Sequence, residues 1–116
     1  MVARSCALQV TSDAKDTQEI FRALGRVAAA SIPPDHNSCK AGPATVGDFL
    51  ADFGESGFDG STGFQTLTCK GSERSVCELS FGGRGRIESA SRILRFEYDS
   101  APKAVVVSSV TCTDVP

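Results

Sequence analysis

The side chains of this 116-residue chain best suited to covalent or metal chemistry are five cysteines, Cys6, Cys39, Cys69, Cys77 and Cys112, and a single histidine, His36. His36 precedes Cys39 in a proline-containing stretch that also holds Asp35 and Asn37. A cysteine nucleophile needs a histidine within hydrogen-bonding reach and a third group to orient it. Cys39 with His36 is therefore the one enzymatic reading available, a thiol-dependent hydrolase, and its plainer counterpart is a solvated histidine beside a disulfide cysteine. Zinc is a poor fit, because one histidine cannot complete a Cys2His2 set and no Cys-x-x-Cys occurs. A site using His36, Cys39 and two more cysteines would need a reducing cell. No metal or cofactor is expected.

Disulfides are the better use of the sulfur, which places the chain in an oxidising compartment, periplasmic or secreted. Met1 to Val10 lacks both the basic start and the apolar run of a signal peptide, so Met1 reads as a start placed before a mature chain. Two cysteines suggest their own pairing. Leu67 and Cys69 alternate with Thr66 and Thr68, and Cys77, Leu79 and Phe81 alternate with Val76, Glu78 and Ser80, with a polar Gly71-containing turn between them. Such alternation marks a hairpin. If Cys69 faces Cys77, Leu67 falls opposite Leu79 and Gln65 opposite Phe81, so one face collects the sulfurs and the apolar groups. A second bridge then joins Cys112 to Cys6, the first strand to the last, or Cys112 to Cys39. Either leaves one thiol, which is buried or links two chains into an oligomer.

The remaining motifs are weaker. Gly82, Gly83 and Gly85 lack the Gly-Lys-Ser/Thr ending of a phosphate loop and precede a strand, not a helix. Asp48, Asp52, Glu55 and Asp59 do not follow the spacing of a calcium loop. No serine sits in a Gly-x-Ser-x-Gly setting. Twelve basic against fourteen acidic residues give a net charge of −2, and aromatic content is 7%. This balance argues against a nucleic-acid partner, which requires a basic surplus. Apolar runs are far too short for a membrane span. Four arginines, Arg84, Arg86, Arg92 and Arg95, form a local basic cluster, and arginine is enriched at protein interfaces. With Phe58, set in a glycine-rich stretch, they are the candidate partner-binding residues.

A single domain, 1–116, must position these groups. Cys6 to Val10 alternates as a short opening strand. Thr11, Ser12 and Asp13 offer capping oxygens to a long helix over about 13–31, with Ile20, Phe21, Leu24, Val27 and Ala28 on one stripe and Pro33 and Pro34 ending it. Thr45 and Asp48 form a capping box for a short second helix that Gly54 can end, with a flexible glycine connection over 54–63. Two strands follow the hairpin. In the first, over 91–99, Leu94, Phe96 and Tyr98 share a face opposite Ile93, Arg95 and Glu97. In the second, Lys103 to Thr113, valines on both faces suggest a central position in the sheet.

These elements compose an α+β fold, one long and one short N-terminal helix packed on an antiparallel sheet of four to five strands, stabilised by disulfides. The leading functional expectation is a non-enzymatic binding domain of inhibitor or immunity-protein type, in which bridges rigidify a small scaffold and loops plus the arginine strand meet another protein. The order long helix, loop, four-stranded antiparallel sheet and C-terminal cysteine also resembles the globular domain of a type IV pilin or pseudopilin. That resemblance implies a surface-filament subunit as the alternative.

Overall fold

The computed structural model describes residues 8–12, 17–40, 43–58, 64–82 and 91–115. In chain order these are β1 (Leu8–Ser12), α1 (Thr17–Arg26), a 3-10 turn (Pro34–His36), α2 (Val46–Phe58), β2 (Phe64–Lys70), β3 (Arg74–Gly82), β4 (Ser91–Asp99) and β5 (Ala104–Val115). One five-stranded sheet results, ordered β1-β2-β3-β4-β5. Strands β2 to β5 form an antiparallel meander, and β2 meets β3 with Leu67 opposite Leu79, Cys69 opposite Cys77 and Gln65 opposite Phe81, the register that alternation implies. Strand β1 instead runs parallel to β2, Leu8 level with Gln65 and Ser12 level with Cys69. Parallel neighbours require a long crossover. Here α1, the following loop and α2 supply it.

Both helices cover one face of the sheet. Ile20, Ala23 and Leu24 of α1 and Val46, Phe49 and Phe53 of α2 are buried with Leu67, Cys69, Cys77, Leu79, Leu94, Phe96, Val110 and Cys112 in a single core. Phe49 and Phe81 meet edge to face at 5.5 Å, and Phe53 meets Phe81 the same way at 6.0 Å. The buried Gln65 amide donates to the Phe53 carbonyl at 2.8 Å, tying β2 to α2.

The end of the first helix differs from expectation. Among the described residues α1 is Thr17–Arg26, ending before residue 31, and α2 is Val46–Phe58. After Arg26 the backbone tightens into turns, Val27 N–H bonding Leu24 O and Ala30 N–H bonding Val27 O. It then passes the Ala28 and Ala30 carbonyls to the N–H groups of Gly47 and Val46 at 2.8 and 3.0 Å. Those are donors that a helix start leaves unsatisfied, so the second helix takes the backbone that would have continued the first. The capping box forms as expected: Thr45 Oγ1 accepts from Asp48 N–H at 3.1 Å, and Asp48 Oδ2 accepts from Thr45 N–H at 3.2 Å. Helix α2 then runs through Gly54 to Phe58, since a glycine costs a helix interior only about 1 kcal/mol.

Strand β5 lies at the sheet edge, not at its centre. Arg95 pairs with Thr111 and Glu97 with Val106, so Phe96 alone faces Val107 to Val110. This bulge shifts the alternation. Val105 points into the core before it, and Val110 and Cys112 after it, which makes the valine-rich sequence look apolar on both faces. Of the residues expected to cap the first helix, Thr11 and Ser12 belong to β1, and Asp13 lies outside the described residues, as do the connection at Gly60 and Gly63 and the turn at Gly83 and Gly85.

Candidate functional site

Between the helices the chain leaves the core as a loop whose ends are brought together: Ser31 bridges Thr45, and Ile32 N–H donates to Ala44 O at 2.9 Å. Closed, compact loops of this kind often carry function. Pro34 opens a 3-10 turn, where its fixed φ suits the first position and its missing N–H is not needed. The turn closes with His36 N–H on Pro33 O at 2.8 Å. Asn37 then braces the loop from within, its Nδ2 donating to Pro43 O at 2.7 Å while its Oδ1 accepts from Cys39 N–H at 3.2 Å.

The loop is also fastened to the edge of β5. Ser38 N–H bonds Cys112 O at 2.9 Å, and Cys39 forms a disulfide with Cys112, their Cα atoms 5.7 Å apart. Lys40 N–H donates to Asp114 Oδ2 at 2.9 Å, and Lys40 O accepts from Arg92 Nη2 at 3.0 Å. Arg92 in turn holds Asp114 through both carboxylate oxygens, Nε to Oδ1 at 2.7 Å and Nη2 to Oδ2 at 3.0 Å, with Asp52 of α2 3.7 Å away. The hydrogen bonds to Asp114, aided by the charges of Asp114 and Asp52, hold the Arg92 pKa above its ordinary value, although partial burial works the other way. A bidentate fork of this kind fixes orientation as well as distance. Pro34, Asp35, His36, Ser38 and Lys40 remain exposed on the braced loop.

The structure redistributes the residues singled out by sequence. Cys69 and Cys77 are joined, and Cys112 is bonded to Cys39 and not to Cys6. In the disulfide Cys39 has no thiolate with which to attack a substrate, and His36 is an exposed loop residue. The arginine cluster divides. Arg92 shares a face with Leu94 and Phe96 and braces the loop, whereas Arg95 points to the opposite, outer face and is exposed. Cys6, Arg84 and Arg86 lie outside the described residues, as does the side chain of Phe58, the last residue of α2. Sequence reasoning missed Asp114, and it read Asn37 as a neighbour of a catalytic pair and not as the brace of the loop. The parity of Arg92 with Leu94 and Phe96 is the signal that it points inward and needs a carboxylate there.

Among the described residues no group of three or more His, Cys, Asp or Glu side chains is placed to hold a metal, and no helix is long and apolar enough to cross a membrane. No family model matches the chain, and no curated protein or solved structure shows significant similarity to it.

Proposed function

We propose that this protein is a non-enzymatic, disulfide-stabilised binding domain of inhibitor or immunity-protein type, working in the periplasm or outside the cell. The observation that carries this reading is the bracing of the loop over 31–40 and 43–45, with Pro34, Asp35, His36, Ser38 and Lys40 exposed on it, at its base, centre and far side by Ser31–Thr45, Asn37, Cys39–Cys112 and Arg92–Asp114. A loop held in one conformation loses little entropy on binding, which is how rigid recognition loops reach high affinity. Two disulfides support the oxidising location. In this reading Pro34, Asp35, His36 and Lys40 meet the partner, while Arg92 positions Lys40 and does not itself form the contact surface.

The test is complex formation between the oxidised chain and a panel of extracellular hydrolases and toxins, the chemical classes that such domains restrain. A stoichiometric complex that is lost when Pro34, Asp35 and His36 are all replaced by alanine is the expected result. Absence of any complex at micromolar concentration, or a complex indifferent to the triple replacement, removes the reading.

A further inference from the structure

Arg95 is the exception among the described arginines. Arg22 and Arg26 pair with Glu19, Arg74 with Glu97 and Asp99, and Arg92 with Asp114 and Asp52. Arg95 stands exposed on the outer face of the sheet, directly opposite the exposed Glu78 of the neighbouring strand β3. No ion pair joins them, although facing positions in a sheet bring Cβ atoms within about 5.5 Å. An acid and a base thus sit side by side, each without a partner among the described residues, near the middle of a face that no described element covers.

The surroundings suit burial. Val76, Ile93, Thr66, Thr68, Ser80 and Thr111 are only partly exposed and carry no charge, and the one acid next to Arg95 on its strand face, Glu97, is paired with Arg74 at 3.2 Å. Beside Arg95 the β5 bulge opens a depression of about 270 Å³, walled by Val76, Phe96, Glu97, Ser109 and Thr111. Five strands about 4.8 Å apart, the central ones nine residues long at about 3.3 Å per residue, give this face an extent of about 24 × 30 Å. Such a face approaches the roughly 800 Å² per partner of a stable interface.

We propose that a second copy of this chain docks on this face, related by a two-fold axis passing between Glu78 and Arg95. A two-fold interface uses the same patch on both subunits and must therefore be complementary to itself. An adjacent, unpaired acid and base meet that condition. Arg95 of each copy reaches Glu78 of the other, and the two sheets stack about 10 Å apart. The braced loop, anchored on the edge of β5, stays at the rim. The proposal is independent of what that loop binds.

The experiment is sedimentation equilibrium of the oxidised full chain carrying Cys6→Ser, so that no dimer arises through that sulfur. The expected result is a reversible dimer, with Arg95→Glu and Glu78→Arg each weakening self-association by about tenfold or more through like-charge contacts. An equimolar mixture of the two single variants should dimerise again, because in the mixed pair each of the two symmetric contacts once more joins an acid to a base. Both positions are exposed, and unchanged circular dichroism melts will show that the variants fold. A protein that stays monomeric at about 1 mM, the concentration matching a standard free energy near −4 kcal/mol, overturns the proposal. So does a dimer unaffected by either single variant, or a mixture that fails to associate.

Discussion

Arg92 of β4 and Asp114 of β5 lie directly opposite one another and are joined by two hydrogen bonds, 2.7 Å from Nε to Oδ1 and 3.0 Å from Nη2 to Oδ2. The same carboxylate accepts from Lys40 N–H, and the same guanidinium donates to Lys40 O. One ion pair therefore closes the last strand pairing, holds the loop that carries Cys39, and faces α2 through Asp52.

Asp114→Asn should loosen all three attachments. The amide keeps one acceptor but loses the charge and the second acceptor for the Arg92 fork. Hydrogen bonds to charged groups contribute about 1.5–3 kcal/mol, and partial solvent exposure reduces this. A loss of about 1 kcal/mol in urea unfolding is expected, with faster amide exchange at Ser38 and Lys40. An unchanged exchange rate there would show that the pair does not brace the loop.

The two disulfides should differ in worth. Cys39–Cys112 spans a sequence separation of 73 and Cys69–Cys77 one of 8. Chain entropy puts the stabilisation at about 4 kcal/mol for the longer loop and about 2.5 kcal/mol for the shorter. Replacing Cys39 and Cys112 by alanine should therefore lower the unfolding midpoint more than replacing Cys69 and Cys77, as denaturant titration of the two double variants will show.

Glycines at two positions should respond in opposite directions to alanine. Gly71, in the β2–β3 turn, has φ +110°, and a Cβ there would lie 2.6 Å from the Arg74 carbonyl oxygen. Gly71→Ala is expected to cost about 1–3 kcal/mol. Gly54, exposed within α2, would place a Cβ in open space. Gly54→Ala should stabilise by about 0.5–1 kcal/mol through helix propensity. Thermal melts of the two variants moving in the same direction would contradict this.

Acid should weaken the surface of α1. The hydrogen bond from Arg22, followed by the charges of Arg22 and Lys103 and the hydrogen bond from Arg26, lowers the Glu19 pKa, while desolvation opposes the shift. A depressed carboxylate pKa adds stability above the unfolded-state value and loses it as pH falls through the folded-state value. The effect sits at the surface and is screened by salt. Glu19→Gln should therefore flatten the acid limb of stability below the ordinary carboxylate range at low ionic strength, and the difference from the parent should vanish in molar salt.

Local physical chemistry is legible in this chain. The hairpin register around Cys69 and Cys77 follows from alternation across a short turn, since one slipped residue would send every side chain to the other face. The Thr45–Asp48 box lies within one turn of helix, and the inward set Leu94, Phe96 and Tyr98 follows from period 2 alone. Each of these depends on residues a few positions apart. Other features required the folded chain. Cys112 takes Cys39 because the loop over 31–40 rests on the edge of β5, a contact between distant residues that spacing does not encode. Helix α1 stops early because α2 uses its following carbonyls. Strand β1 runs parallel because two helices intervene, and β5 reads as central only because its bulge shifts the alternation midway. Arg92 and Arg95, neighbours in one cluster by sequence, end on opposite faces of one strand. One braces the loop and the other, without a partner among the described residues, stands on the outer face, a division that exists only once the sheet has an inside.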